Sequence, residues 1–149
     1  MAAHEPPLAA PIARVVDFYE TLSRESLGRL GEVYAADARF KDPFNEVVGT
    51  APIAAIFAAM FDQLEAPRFR VLEAVGDGRR ACLVWEFDFR NPRLDGGRAQ
   101  LIRGASWLEF DGEGRVTNHR DYWDAAEELY EKLPIVGALM RWLRRRIAH

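Results

Sequence analysis

A single cysteine, Cys82, stands in the 149 residues, so neither an intrachain disulfide nor a cysteine-rich zinc cluster can form. That usage fits a reducing compartment. No run approaches the roughly 20 apolar residues that span a bilayer. The opening, MAAHEPPLAAP, lacks the basic start and apolar stretch of a secretory signal. The expected location is therefore the cytoplasm, without a membrane partner. A basic excess is also missing: the formal net charge is −3, which argues against a nucleic-acid partner because an acidic surface repels phosphates. Histidine is scarce, with three in the chain. One imidazole among scattered carboxylates is not a metal-ligand pattern, and no cofactor is implied.

What is present is the composition of one globular domain, long enough for one substantial core. Residues 1–11 carry Pro6, Pro7 and Pro11 and read as a flexible arm. Ile12, Val15, Val16, Tyr19 and Leu22 then recur at helical spacing. A second short helix places Leu27, Leu30, Val33 and Tyr34 on one face behind a cap at Ser26. A brief strand over 38–42 ends at Pro43, and a third helix starts near Pro52 with Ile53, Ile56, Phe57, Met60 and Leu64 inward. From Arg68 the period falls to two. Turn signals at Asp77-Gly78, Asp95-Gly96-Gly97 and Asp111-Gly112-Glu113-Gly114 divide the rest into strands over 69–75, 81–90, 98–110 and 116–123. Helices followed by a long-stranded antiparallel meander predict an α+β domain, its curved sheet wrapped over the helices. Residues 125–149 return to helix, broken at Pro134, with Val136, Met140, Leu143 and Ile147 on one face and Arg141, Arg144 and Arg145 largely on another. This amphipathic segment is expected to close the open end of the sheet; the alternative is an interfacial helix, with Trp142 beside Arg141, Arg144, Arg145 and Arg146, that docks a partner or a membrane surface.

Two segments, YAADARFKDPF from Tyr34 and HRDYWD from His119, stand in order around a helix, a meander and an LEFDGEGRV turn. In this the chain resembles the nuclear transport factor 2-like superfamily, which holds ketosteroid isomerase, the SnoaL polyketide cyclases, limonene epoxide hydrolase and scytalone dehydratase. The likeness spans residues 12–124. It implies a cone-shaped cystatin-like fold around a pocket and, commonly, a homodimer through the outer sheet face.

Strand alternation divides 82–89 into Leu83, Trp85, Phe87 and Phe89 on one side and Cys82, Val84, Glu86 and Asp88 on the other. With one face on a core and one in water, the rings are core and the acids solvated. The resemblance implies the reverse: Val84, Glu86 and Asp88 line the pocket, while Trp85, Phe87 and Trp107 meet a second copy. The same phase puts Ser106 inward on its strand, and His119, Asp121 and Trp123 on one side of the last.

Asp42 falls where ketosteroid isomerase carries its general base, although as an acid before a proline it also suits a turn. Phe18 and Ser106 fall where that enzyme keeps its oxyanion donors, with Tyr19 one residue away; each missing donor costs an enolate about 3 to 4 kcal/mol. Asp121 matches the acid that activates water in limonene epoxide hydrolase and Asp88 its second acid, but Glu86 replaces the arginine between them. The expected catalytic residues are Asp42, Asp121 and His119, with Tyr19, Val84, Glu86, Asp88, Ser106 and Trp123 around a small apolar ligand. The chemistry implied is acid-base isomerisation, cyclisation or hydrolysis of a carbonyl compound or epoxide. A non-catalytic binding or dimerising module is the other reading.

Overall fold

A computed structural model describes residues 9–128 and 134–147. Most of the N-terminal arm and the joint before Pro134 therefore lie outside the described residues. The first helix, α1 (Ala10–Glu20), starts with Pro11 in its first turn, where a missing N–H costs nothing, and buries Ile12, Val15, Phe18 and Tyr19 on one face. A 3-10 turn (Glu25–Arg29) and the single-turn α2 (Leu30–Val33) follow. Ser23, ahead of the turn, and Ser26, inside it, bond to each other: Ser23 Oγ accepts from the Ser26 N–H at 3.1 Å and Ser26 Oγ from the Ser23 N–H at 2.9 Å.

Strand β1 (Tyr34–Lys41) begins four residues before the sequence pattern suggests, because Tyr34 and Ala35 are buried in extended backbone rather than on a helix face. It pairs with the short β2 (Glu46–Val48) across the Asp42 turn. Gly49, at φ 104°, turns the chain into α3 (Thr50–Gln63), which buries Ile53 and Phe57. The meander is as expected: β3 (Glu65–Gly76), β4 (Arg80–Arg90), β5 (Ala99–Phe110) and β6 (Val116–Tyr122). The six strands run β2-β1-β6-β5-β4-β3, antiparallel except where β6 lies parallel to β1. Register shifts within β3, within β1 and near the start of β6 bend this open sheet around α1 and α3. After β6 come α4 (Ala125–Glu128) and α5 (Pro134–Ile147). Leu143 of α5 is exposed rather than hidden, as are Leu139, Trp142 and Ile147. Among the described residues no helix is long and apolar enough to cross a membrane.

The phase of β4 is opposite to the one the family resemblance implied. Ala81, Leu83, Trp85, Phe87 and Phe89 face the helices and are buried, so Trp85 and Phe87 are not available to a second copy. Val84, Glu86 and Asp88 lie on the outer face, away from the helices. The reason is energetic. The four large apolar side chains, Leu83, Trp85, Phe87 and Phe89, gain about 1.5 to 3 kcal/mol each by burial, whereas the carboxylates stay where charged partners and water reach them. Glu86 accepts from Arg70 across β3 and from Arg103 across β5 at 3.5 Å, and these partners, Arg70 first, hold its carboxyl below the usual range. Trp107 does lie on the outer face, 39% exposed.

Candidate active site

The inner face of the sheet and α3 enclose a hollow of about 460 Å³, within the usual range for small-molecule sites. Its walls are Phe40, Phe57, Phe69, Trp85, Phe87 and Phe89, closed by Ile56, Met60, Leu64 and Ile102. At the rim stand Asp42, Phe44, Asn45, Gln63, Asn91 and Trp123. Phe44 and Trp123 meet edge to face at 5.5 Å across it. Asp121, on the inner side of β6, also lines it, and with Asp42 at the rim makes up the ionisable lining among the described residues.

Asp121 is the end point of a buried hydrogen-bond network. On one side Ser106 Oγ donates to its Oδ1, and Trp85 Nε1 donates to Ser106 Oγ at 2.8 Å. An indole N–H can only donate, so the serine must send its own proton to the carboxylate. On the other side His119 Nε2 lies 2.6 Å from Asp121 Oδ1, and His119 Nδ1 lies 2.7 Å from Tyr34 Oη and 3.3 Å from Tyr19 Oη. The two phenols also bond to each other. Burial, first of all, pushes both phenols well above their ordinary range, so each keeps its proton.

Counting protons fixes the tautomer. With Nδ1 bare, Tyr19 donates to Tyr34 and Tyr34 to Nδ1, so both hydroxyl protons find acceptors; a proton on Nδ1 would leave one phenol proton buried with no acceptor. The His119 proton therefore sits on Nε2 and is donated to Asp121. Every bond in the chain points towards one carboxylate oxygen. Oδ1 receives both donors, while Oδ2 accepts none among the described residues and is the oxygen left for a ligand.

Close packing supports this arrangement. Gly104 lies opposite Trp85 in the β4–β5 register, and a Cβ there would fall 2.5 Å from the indole Cη2 and 2.6 Å from Cζ2. The missing side chain is what lets the indole lie flat and reach Ser106. His119, 1% exposed, rests against Phe40 at 4.7 Å between ring centres and stacks on Tyr34 at 5.9 Å.

Of the residues expected from the sequence, the fold places Asp121 and Trp123 at the hollow and joins Ser106 and His119 to Asp121 behind its wall. Tyr19 is in the network but turns its hydroxyl to Tyr34 and His119, so it offers no donor to a ligand carbonyl. Asp42 reaches the rim, yet its carboxylate is engaged by the β1–β2 turn. Its Oδ1 accepts from the Phe44 N–H at 2.7 Å and the Asn45 N–H at 2.6 Å, and Asn45 Nδ2 lies 3.1 Å from both oxygens. Val84, Glu86 and Asp88 are outside altogether. Tyr34, Trp85, Phe40 and Gly104 are the members of the site that the sequence did not single out for it. Tyr34 opens the YAADARF segment, but helical periodicity disguised it as an apolar wall residue.

Comparison with known proteins gives this geometry a context. No match is found among curated proteins. Solved structures similar in fold include a Catenulispora acidiphila protein with a ketosteroid isomerase-like fold in complex with trimethylamine. It has 18% identity and a TM-score of 0.70, covering 86% of this chain and 96% of that one. An LEH-like epoxide hydrolase from M. tuberculosis has 18% identity and a TM-score of 0.66, covering 89% and 95%. An NTF2-like protein of unknown function from Burkholderia pseudomallei has 19% identity and a TM-score of 0.69, covering 80% and 95%. The SnoaL-like domain model matches residues 15–119, which run from α1 to His119 itself. The chain therefore belongs to the SnoaL-like domain family.

Proposed function

We propose that the hollow is the active site of an enzyme in which Asp121 Oδ2 exchanges a proton with a small, largely apolar carbonyl compound or epoxide. The observation that carries this reading is the asymmetry of the Asp121 carboxylate: one oxygen is held by two neutral donors, the other is left over in an aromatic hollow. A base must be fixed in direction and within reach of the proton it moves, and the two donors on Oδ1 supply the first condition. His119 and Ser106 are then positioning residues. Asp42, engaged by its own turn, is not the base.

Hydrogen–deuterium exchange tests this without knowledge of the natural substrate. In deuterated buffer the protein is expected to speed exchange at the carbon next to the carbonyl in a panel of aryl and alkyl ketones. Asp121→Asn should lower that rate about 10²- to 10⁴-fold while Asp42→Asn leaves it within a few-fold. Loss in the Asp42 variant with retention in the Asp121 variant would reverse the assignment.

The partner proposed for the outer sheet face is a second copy of the chain. Exposed Val84 and Tyr122, which flank Ala105 of β5 on β4 and β6, and exposed Trp107 two residues further along β5, support it. Sedimentation of the wild type against Trp107→Glu is the test: a dimer in the first and a monomer in the second is expected, and a monomeric wild type removes the proposal.

A further inference from the structure

The charge inside the hollow is one-sided. Two carboxylates, Asp42 and Asp121, line it, and among the described residues no lysine, arginine or histidine side chain does. His119 stands behind the wall, and the proton count above leaves it a neutral imidazole. No arginine or lysine nitrogen lies within 4.0 Å of the Asp121 carboxylate among the described residues. Lys41 and Arg120 line, with Asp121, a separate open cleft. Both are otherwise engaged: Lys41 lies 3.7 Å from Glu46, and the Arg120 guanidinium sits over the Tyr122 ring at 4.8 Å. The contrast with Glu86 is direct, since that acid has an arginine on each side.

The walls have the same preference. Phe40, Phe57, Phe69, Trp85, Phe87 and Trp123 present aromatic surface to the space in front of Asp121. Ring faces carry negative quadrupole density and attract a cation that has shed its water. A carboxylate at the end of an aromatic box answers both needs of an alkylammonium group: a counter-charge and a soft, dry wall. An anionic ligand would meet a carboxylate and ring faces instead, with the amides of Asn45, Gln63 and Asn91 among the lining groups able to donate to it.

From this lining we infer that the ligand carries a cationic nitrogen, a tertiary or quaternary ammonium on an apolar frame, seated among the rings with Asp121 as its counter-ion. The inference rests on the proposed reading of the hollow as the ligand site and narrows what that site accepts.

Three probes of matched shape test it on the full chain: phenyltrimethylammonium, the uncharged tert-butylbenzene, and benzenesulfonate. Binding is followed by the NMR shifts of the Trp85 and Trp123 indole N–H signals at pH 7.5. Phenyltrimethylammonium is expected to bind about tenfold more tightly than tert-butylbenzene, and benzenesulfonate to leave both indoles unmoved. In Asp121→Asn, checked for an unchanged melting temperature, the preference should shrink towards unity. The wild-type ranking stands by itself should that variant fail to fold. Equal or tighter binding of tert-butylbenzene at the same indoles overturns the charge inference and leaves the ligand site in place. If none of the probes moves either indole, the inference fails together with the reading of the hollow as a ligand site.

Discussion

Replacing Tyr34 by phenylalanine removes one oxygen that serves two neighbours, yet the structure predicts a modest cost. Tyr34 Oη is 2.7 Å from His119 Nδ1, but Tyr19 Oη already stands 3.3 Å from the same nitrogen and can take over as its donor. One neutral hydrogen bond is lost on balance, about 1 kcal/mol. Tyr19→Phe costs a similar amount, because Tyr34 then keeps Nδ1 satisfied. The double variant is different in kind. It leaves a ring nitrogen that is 1% exposed with no donor at all, and an unsatisfied buried acceptor adds about 1 to 3 kcal/mol to the two lost bonds. The double variant should thus lose more than the sum of the single ones, with a coupling of about 1 to 3 kcal/mol. Urea unfolding of the four proteins measures it, converted at a common slope. Costs that add within about 0.5 kcal/mol would refute the shared-acceptor network, and with it the tautomer assigned to His119.

The same tyrosines predict an alkaline weakness. Their folded pKa values lie above the ordinary 10.0, so the stability they contribute is intact below that pH and drains as pH rises through it towards the folded values. The slope is about 1.4 kcal/mol per pH unit for each phenol; urea midpoints at pH 9, 10 and 11 should fall faster for the wild type than for the double phenylalanine variant, and equal slopes would contradict the assignment. Gly104→Ala should cost about 1 to 3 kcal/mol by driving the Trp85 indole into the hollow and should shift its N–H signal as the Ser106 bond breaks; an unmoved signal would show that the indole does not depend on that space. Glu86→Gln should leave probe binding in the hollow unchanged. Because arginine contacts depress the Glu86 pKa, its contribution is present above the ordinary carboxylate range and lost as pH falls below it. The melting points of variant and wild type should therefore converge in acid, and a gap that widens there would contradict the pairing.

Local chemistry made the outline legible from the residues themselves. The Asp77 and Asp111 turns were marked by acids whose carboxylates accept backbone N–H groups two to four residues on, a bonding pattern that needs no tertiary partner. The strand limits followed from those turns, and the alternation within β6 put His119 and Asp121 on one side. Asp42 makes the same kind of turn and could have been grouped with Asp77 and Asp111 on that ground alone.

Alternation by itself could not say which side of β4 was inside. A period of two separates Trp85, Phe87 and Phe89 from Val84, Glu86 and Asp88 but is symmetric between the two faces of a sheet. Only packing against α1 and α3 broke that symmetry, because the rings gain by leaving water and the acids do not. The site was likewise decided in three dimensions. Tyr19 and Tyr34 lie about a hundred residues and 85 residues from His119 in the chain, and no local pattern links them. They meet because β6 runs parallel to β1, which begins at Tyr34, while α1 brings Tyr19 against the same imidazole. The sequence determined which groups exist and the rhythm in which they alternate; the closure of the sheet over its helices determined which carboxylate ended in the hollow with one oxygen left over.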